Sequence, residues 1–493
     1  MGRQHQPRID HAPVPGGPAA AARRRPGHGA AAGRRRLGPE LARQHHPPLP
    51  EPSDPYRSRG LGRHGDRLMR DLSLCIVGAG GSYTPEIVAG VLERDPDRLP
   101  IADLSLMDAD PQRLEVMAGL ARRMIAARGR RIQVRASTDL ETAVRGADFV
   151  VTQIRVGGMV ARDLDERIPM KYGVIGQETT GPGGMFKALR TIPVMIEIGE
   201  TVARVAPDAF ILNYTNPSGV VTEAVLTRTR ARLVGLCSSI PLMQRELKRR
   251  LGGRFGEVRV DSVGLNHLGF IHRIVAGGAD VTGEALAWLL AHDDGRNPLL
   301  SSALRTAPVL GALPVEKYGD LYFHRRAEVA ALAAQDRTRA QMVMAIESEV
   351  LAEAADPAVT DRPPALLRRG GEGYSHVTFD TLDAILNDTG DEIVMSVLND
   401  GAVAGLPDRV AVETVCAVGA AGARPLPVGE LPLAFRGLVQ AVKAHETLVV
   451  QAAVTRRRDV ALQALLAHPL VGDLDVAEPM LDELLNSHGL EFQ

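Results

Sequence analysis

Leu72-Ser-Leu-Cys-Ile-Val-Gly-Ala-Gly-Gly-Ser-Tyr-Thr-Pro85 is the stretch whose reading decides the fold. Leu72 to Val77 is a short, mostly apolar run and reads as a buried parallel strand. Gly78, Gly80 and Gly81 follow at once, where the backbone can turn tightly and approach a ligand. Pro85 suits the first turn of a helix, with Ser82 or Thr84 as its cap. Ile87, Val88, Val91 and Leu92 give that helix an apolar stripe. Strand, glycine turn and helix N-terminus together form an anion site of the kind that takes a pyrophosphate.

The next strand, Leu104 to Asp108, ends in an acid. A carboxylate there accepts hydrogen bonds from a ribose diol and repels a 2′-phosphate, which favours NAD over NADP. A glycine turn can also do no more than pack a helix on a sheet. The placement between strand and helix, with Asp108 closing the following strand, favours the dinucleotide reading.

The 493 residues carry a formal net charge of −1 and are 45% hydrophobic, which suits a globular protein of two or three lobes. No basic excess points to a nucleic-acid partner. No apolar run approaches the roughly 18 residues of a membrane span. The three widely spaced cysteines, Cys75, Cys237 and Cys416, speak for a reducing, cytoplasmic setting rather than a disulfide framework. Residues 1–68 are rich in Arg, Pro, Gly and His and lack periodicity, so a disordered extension is expected there, with Met69 three residues ahead of the first strand.

From Met69 strands and helices alternate. Helices are expected over Gln112–Ala127, Leu140–Val144, Thr191–Val205 and Gly219–Thr229, with another after Pro241. Strands are expected over Ile132–Ala136, Asp148–Gln153, Phe210–Asn213 and Arg232–Leu236. This pattern predicts a Rossmann-like, doubly wound parallel sheet over residues 69–257. Beyond about Val258 the pattern becomes mixed: strands near Val258–Val263, Phe270–Val275, Ile393–Leu398 and Val410–Val418, a long helical stretch over Arg325–Ala355, and late helices Leu433–Val454 and Val460–Ala467. Residues 258–493 are expected to form a mixed α+β substrate and metal domain.

Four polar loops punctuate the middle of the chain: Ile154-Arg-Val-Gly-Gly158, Gly176-Gln-Glu-Thr-Thr-Gly-Pro-Gly-Gly184, Asn213-Tyr-Thr-Asn-Pro217 and Gly264-Leu-Asn-His-Leu-Gly269. Each is readable as turns and caps, but four on one sheet edge point to a site. Cys237 and His267 offer a thiolate and an imidazole, ligands suited to a transition metal. Thirty residues apart, only the fold can bring them together.

Taken in order, Gly78-Ala-Gly-Gly-Ser-Tyr-Thr-Pro85, Lys171-Tyr-Gly-Val-Ile-Gly-Gln-Glu-Thr-Thr-Gly-Pro-Gly-Gly184, Asn213-Tyr-Thr-Asn-Pro-Ser218, Gly235-Leu-Cys237, Gly264-Leu-Asn-His267 and Arg424-Pro-Leu-Pro-Val-Gly429 resemble the successive motifs of glycoside hydrolase family 4, and most of all its 6-phospho-β-glucosidases. This family is the NAD-dependent exception to two-carboxylate glycoside hydrolysis. The resemblance implies an NAD cofactor at Gly78, Gly80, Gly81, Ser82 and Asp108, and a divalent metal, usually manganese, between Cys237 and His267. It implies substrate contacts at Arg162, Asn216 and Arg339. It implies a catalytic tyrosine in Leu313-Pro-Val-Glu-Lys-Tyr-Gly-Asp-Leu-Tyr-Phe323, matched to Tyr318 with Tyr322 as the alternative. The implied substrate is a 6-phosphorylated glycoside, and the implied assembly a homo-oligomer, dimer or tetramer.

One departure stands out. Where the family usually follows its metal cysteine with Asn or Asp, Ser238 follows Cys237, and a serine is a poor acid. The implied reaction takes hydride from C3 onto NAD and removes the acidified C2 proton with Tyr318. The aglycone is then eliminated, and water and hydride are restored. A plain NAD-dependent dehydrogenase and a non-catalytic NAD-binding sensor are the rival readings, since the first lobe serves all three.

Overall fold

Alternate residues of the first strand, β1 (Leu72–Val77), face opposite ways: Leu74 and Ile76 enter one apolar layer, Cys75 and Val77 another. Burial on both faces is what a near-continuous apolar strand requires. The computed structural model of the chain describes residues 71–370 and 373–493. The segment 1–68, expected to be disordered, lies outside the described residues.

Around β1 lie β2 (Ile101–Met107), β3 (Gln133–Ser137), β4 (Phe149–Thr152), β5 (Phe210–Asn213) and β6 (Arg232–Gly235). They pair in parallel in the order β3-β2-β1-β4-β5-β6. That is the Rossmann order, whose winding reverses between β1 and β4 and so opens a crevice at the carboxyl ends of those strands.

The mixed second half contributes to the same sheet. Its strands are β7 (Val258–Leu265), β8 (Leu268–Ala276), β9 (Ala279–Asp280), β10 (Leu313–Pro314), β11 (Asp391–Leu398), β12 (Val403–Ala404), β13 (Ala411–Gly419), β14 (Gly422–Pro425) and β15 (Gly429–Glu430). Beyond β6 the order continues β11-β13-β7-β8-β10, every pair antiparallel, starting where Ser396 of β11 meets Gly235 of β6. Strands β14 and β9 flank β13 and β8, while β12 and β15 form a separate parallel pair. Among the described residues no helix is long and apolar enough to cross a membrane.

Several helices differ from the sequence reading. The helix expected from Thr191 begins at Gly181, and a further helix covers Gly158–Lys171. Glycine-rich starts argue against helix, and tertiary packing overrides them here. The long stretch over Arg325–Ala355 is two helices, Arg325–Ala333 and Arg339–Ala355, because the Thr338 hydroxyl accepts from the Gln341 N–H at 3.2 Å and starts a new one. Neither Ser82 nor Thr84 caps the helix Thr84–Glu93. The Thr84 hydroxyl donates instead to the Ala79 carbonyl at 2.7 Å, and Ser82 to Glu347 at 3.3 Å.

The loop after the helix Gly158–Lys171 folds back hard against it. A Cβ on Gly176 would lie 1.6 Å from the backbone oxygen of Glu166, a contact no side chain can relieve. Gly176→Ala should therefore lower the melting temperature, overpacking of this kind costing about 1–3 kcal/mol. Gly437→Ala, in an exposed helical position with nothing within 4 Å, should leave it unchanged or raise it by the helix-propensity gain of up to about 1 kcal/mol. Thermal melts of the two variants side by side check both signs.

Candidate active site

At the end of β1 the N–H groups of Gly78 and Ala79 both donate to the Met107 carbonyl at 2.8 Å, locking the glycine turn to the end of β2. Gly78 has φ +91°, and a Cβ there would come within 2.9 Å of the Gln153 backbone. Asp108, just past β2, accepts from the Gly80 N–H at 2.8 Å through one oxygen and from the Asp110 N–H at 2.9 Å through the other. Each oxygen keeps a lone pair for a ligand hydroxyl. Gly78, Gly80, Gly81, Ser82 and Asp108 all line one cleft of about 770 Å³, within the range of a cofactor site.

Cys237 follows β6, the last parallel strand of the main sheet, while His267 sits in the two-residue turn between β7 and β8. The fold brings Cys237 Sγ to 3.8 Å from His267 Nε2. Bonds of about 2.3 Å to sulfur and about 2.1 Å to nitrogen put two donors on one cation roughly 3.5 Å apart, so the pair fits a shared transition-metal ion. His267 holds φ +66°, a backbone region costly to an L-residue and concentrated at functional sites. Among the described residues no group of three or more His, Cys, Asp or Glu gathers into a metal cluster. A cation held by this pair would keep its other positions for substrate or water.

A second cleft, of about 650 Å³, is lined by Arg162, Asn216, Cys237, Ser238, His267, Tyr318 and Arg339. The Tyr318 ring stacks on His267 with centroids 4.0 Å apart and planes 13° from parallel. Tyr322 points elsewhere: its hydroxyl lies 3.5 Å from His468, and it lines a separate small cavity. Burial pushes the Tyr322 phenol upward, away from the range of a base. Tyr83, Glu178, Asn216, Arg369 and Tyr374 line both clefts, which therefore meet.

Glu178 marks that junction. Its carboxylate accepts from Arg155 and from Lys187 at 2.7 Å, and forms an ion pair with Arg162 at 3.0 Å. Burial alone would raise its pKa, but the three cations hold it well below the usual carboxylate range. Even with Glu166 counted beside Arg162, three cations face two carboxylates, which leaves positive charge unbalanced. Guanidinium groups do not give up a proton, so the strain falls on Lys187, which burial and Arg155 bring down to about 7 against the pull of Glu178. Arg162 also donates to Glu166 at 2.7 Å, and Glu166 accepts the Ala340 N–H at 2.8 Å, tying this wall to the helix that starts at Arg339.

Residues 73–252 match the family 4 glycosyl hydrolase and residues 262–471 the family 4 glycosyl hydrolase C-terminal domain. The chain belongs to the family 4 glycosyl hydrolases. This family 4 glycosyl hydrolase is 38% identical over 434 residues to a probable 6-phospho-β-glucosidase of Bacillus subtilis, covering 85% of this chain and 97% of the relative. It is 30% identical over 436 residues to 6-phospho-α-glucosidase 1 of Lacticaseibacillus paracasei, covering 84% and 97%. Its fold is similar to the 6-phospho-β-glucosidase of Thermotoga maritima solved with manganese, NAD⁺ and glucose-6-phosphate. That likeness has a TM-score of 0.77 at 30% identity, over 86% of this chain and 99% of that one.

All the residues singled out in the family 4 sequence line one or other cleft except Tyr322. Sequence reasoning passed over Tyr83, Glu178, Lys187 and Arg369. Glu178 lay inside a quoted polar loop and was within reach. Lys187 was hidden because its helix was expected to start after it.

Replacing Glu178 by Gln keeps the shape but strands Arg155, Arg162 and Lys187. Breaking one partner out of a buried ion group costs about 3–5 kcal/mol, so the Glu178→Gln variant should melt at markedly lower temperature at pH 7. The depressed pKa fixes the sign of the pH dependence. The wild-type advantage should be fully present above the unfolded carboxylate range and fade as pH falls below about 4.3, which melts across pH 3–7 will read.

Proposed function

We propose that this chain hydrolyses 6-phospho-β-glucosides with bound NAD and a divalent cation, by transient oxidation at C3, removal of the C2 proton and elimination of the aglycone. The observation that carries the proposal is the meeting of a dinucleotide cleft with one where Cys237, His267 and Tyr318 lie together. The relatives' names support the substrate class, and the greater identity to the β-glucosidase supports the anomer. Manganese and NAD⁺ accompany glucose-6-phosphate in the Thermotoga maritima enzyme.

When bound, NAD supplies a hydride acceptor for C3 and the cation a Lewis acid beside it. The rest is done by side chains. Gly78, Gly80 and Gly81 keep the cofactor cleft open to a close backbone approach, Ser82 lines it, and Asp108 offers its free lone pairs to a ribose. Cys237 and His267 hold the cation. Arg162, Asn216 and Arg339 orient the phosphorylated sugar. Tyr318, stacked on His267, takes the C2 proton, which a neighbouring ketone makes acidic.

Purified protein with NAD, manganese and 4-nitrophenyl 6-phospho-β-glucoside should release nitrophenol without accumulating NADH, and solvent deuterium should enter C2 of the product. Tyr318→Phe should keep binding and lose roughly 10²- to 10⁴-fold in turnover, the usual worth of a general base. Product free of C2 deuterium, from an enzyme indifferent to that substitution, would sink the reading. Steady NADH release would favour a dehydrogenase instead.

Cys237→Ser and His267→Ala should each weaken manganese binding, followed by calorimetry, while NAD affinity stays close to wild type. Full activity after exhaustive chelation would remove the cation from the account.

A further inference from the structure

Elimination needs a proton for the departing oxygen, and Ser238, beside Cys237 in the substrate cleft, has no acid to give. Four carboxyl groups line that cleft: Glu166, Glu178, Glu328 and Asp336. Glu166 is engaged by Arg162 and by the Ala340 N–H. Glu178 is held ionised by Arg155, Lys187 and Arg162. Asp336 lies exposed on the loop between the helices Arg325–Ala333 and Arg339–Ala355. Two of these three are already committed to cationic or backbone partners, and the third stands out in solvent.

Glu328 differs from them. It stands half-buried on the helix Arg325–Ala333, and among the described residues no Lys or Arg is paired with its carboxyl. Its helix neighbours Val329 and Leu332 pack on the apolar cluster of Ile175, Tyr318, Leu321 and Leu470. The wall that carries the acid is therefore braced by the cluster that seats the proposed base.

We infer that Glu328 is the general acid that protonates the aglycone oxygen as it leaves. This rests on the glycosidase reading above and adds a residue to it. Burial pushes the Glu328 carboxyl upward and Asp320 adds to it, with His324 opposing, which is the direction an acid needs. In the step, the electron pair left on C2 by proton removal forms the C1–C2 double bond. The C1–O bond breaks, its pair goes to the aglycone oxygen, and the Glu328 proton passes to that oxygen. When water adds at C1, the Glu328 carboxylate takes up the water's proton and Tyr318 returns one to C2. Acid and base are both restored, and once the hydride first taken from C3 is returned there the sum is hydrolysis.

A leaving-group series tests this on the full chain with NAD and manganese. Methyl and 4-nitrophenyl 6-phospho-β-glucosides are compared in the wild type, Glu328→Gln and Glu328→Asp. Glu328→Gln should lose roughly 10²- to 10⁴-fold in kcat/KM on the methyl glycoside and only a few-fold on the nitrophenyl one, whose phenolate leaves unaided. Its melting temperature should stay near wild type. Glu328→Asp, which retains a carboxyl, should recover part of the loss on the methyl glycoside and covers the case of a Gln variant that folds poorly. Equal losses on both substrates, or none on either, would overturn the assignment while leaving the glycosidase reading intact. A wild type that releases no nitrophenol takes down both.

Discussion

The antiparallel pairing of Ser396 with Gly235 joins β6, the last parallel strand of the main sheet, to the antiparallel strands that extend it. Without it, β6 would be the edge of a six-stranded dinucleotide-binding sheet, and its unpaired backbone groups would invite another chain. With it, β11 presents its far edge to β13, β13 to β7, and β7 to β8. The β7–β8 turn then returns to the end of β6, which is why a histidine in the second half of the chain can meet a cysteine in the first. Strand pairing is what positions the candidate metal site.

The junction between the clefts obeys a different economy. Buried charges are costly unless paired and hydrogen-bonded, yet Arg155, Arg162 and Lys187 converge on Glu178, with Glu166 as the second carboxylate beside Arg162. A core built only for stability has no use for that imbalance. It makes sense where an incoming anionic ligand supplies the missing negative charge, and the site then departs from the rules of a well-packed interior where function demands it.

Much of this was legible in the sequence, and the reasons differ from element to element. The strand Phe210–Asn213 and the helix Leu140–Val144 were readable to the residue, since each is short, apolar in the right rhythm and bounded by turn-formers. Asp108 and the glycine turn were readable because their spacing is local. Joining the second half to the first sheet was not readable, because the partner of β6 lies far along the chain. The start of the helix Gly181–Val205 was missed for a local reason: its glycines argue against helix, and only the close backbone approach of Gly183 to Asp165 and Gln177, and of Gly184 to Thr179, shows why they are there. Glu328 carried no signal at all. A glutamate on an amphipathic helix reads as a solvated face, and only the fold shows that it turns toward a cleft. The dehydrogenase reading drew on the first lobe alone, and the family match through residue 471 decides against it.

Cys237 belongs to the parallel core and His267 to the antiparallel extension, so a cation gripped by both is tied to the integrity of the seam between them. Whatever binds the native arrangement and not the unfolded chain adds a stability of RT ln(1 + [L]/Kd). The ion would thus act as a thermodynamic rivet as well as a reagent.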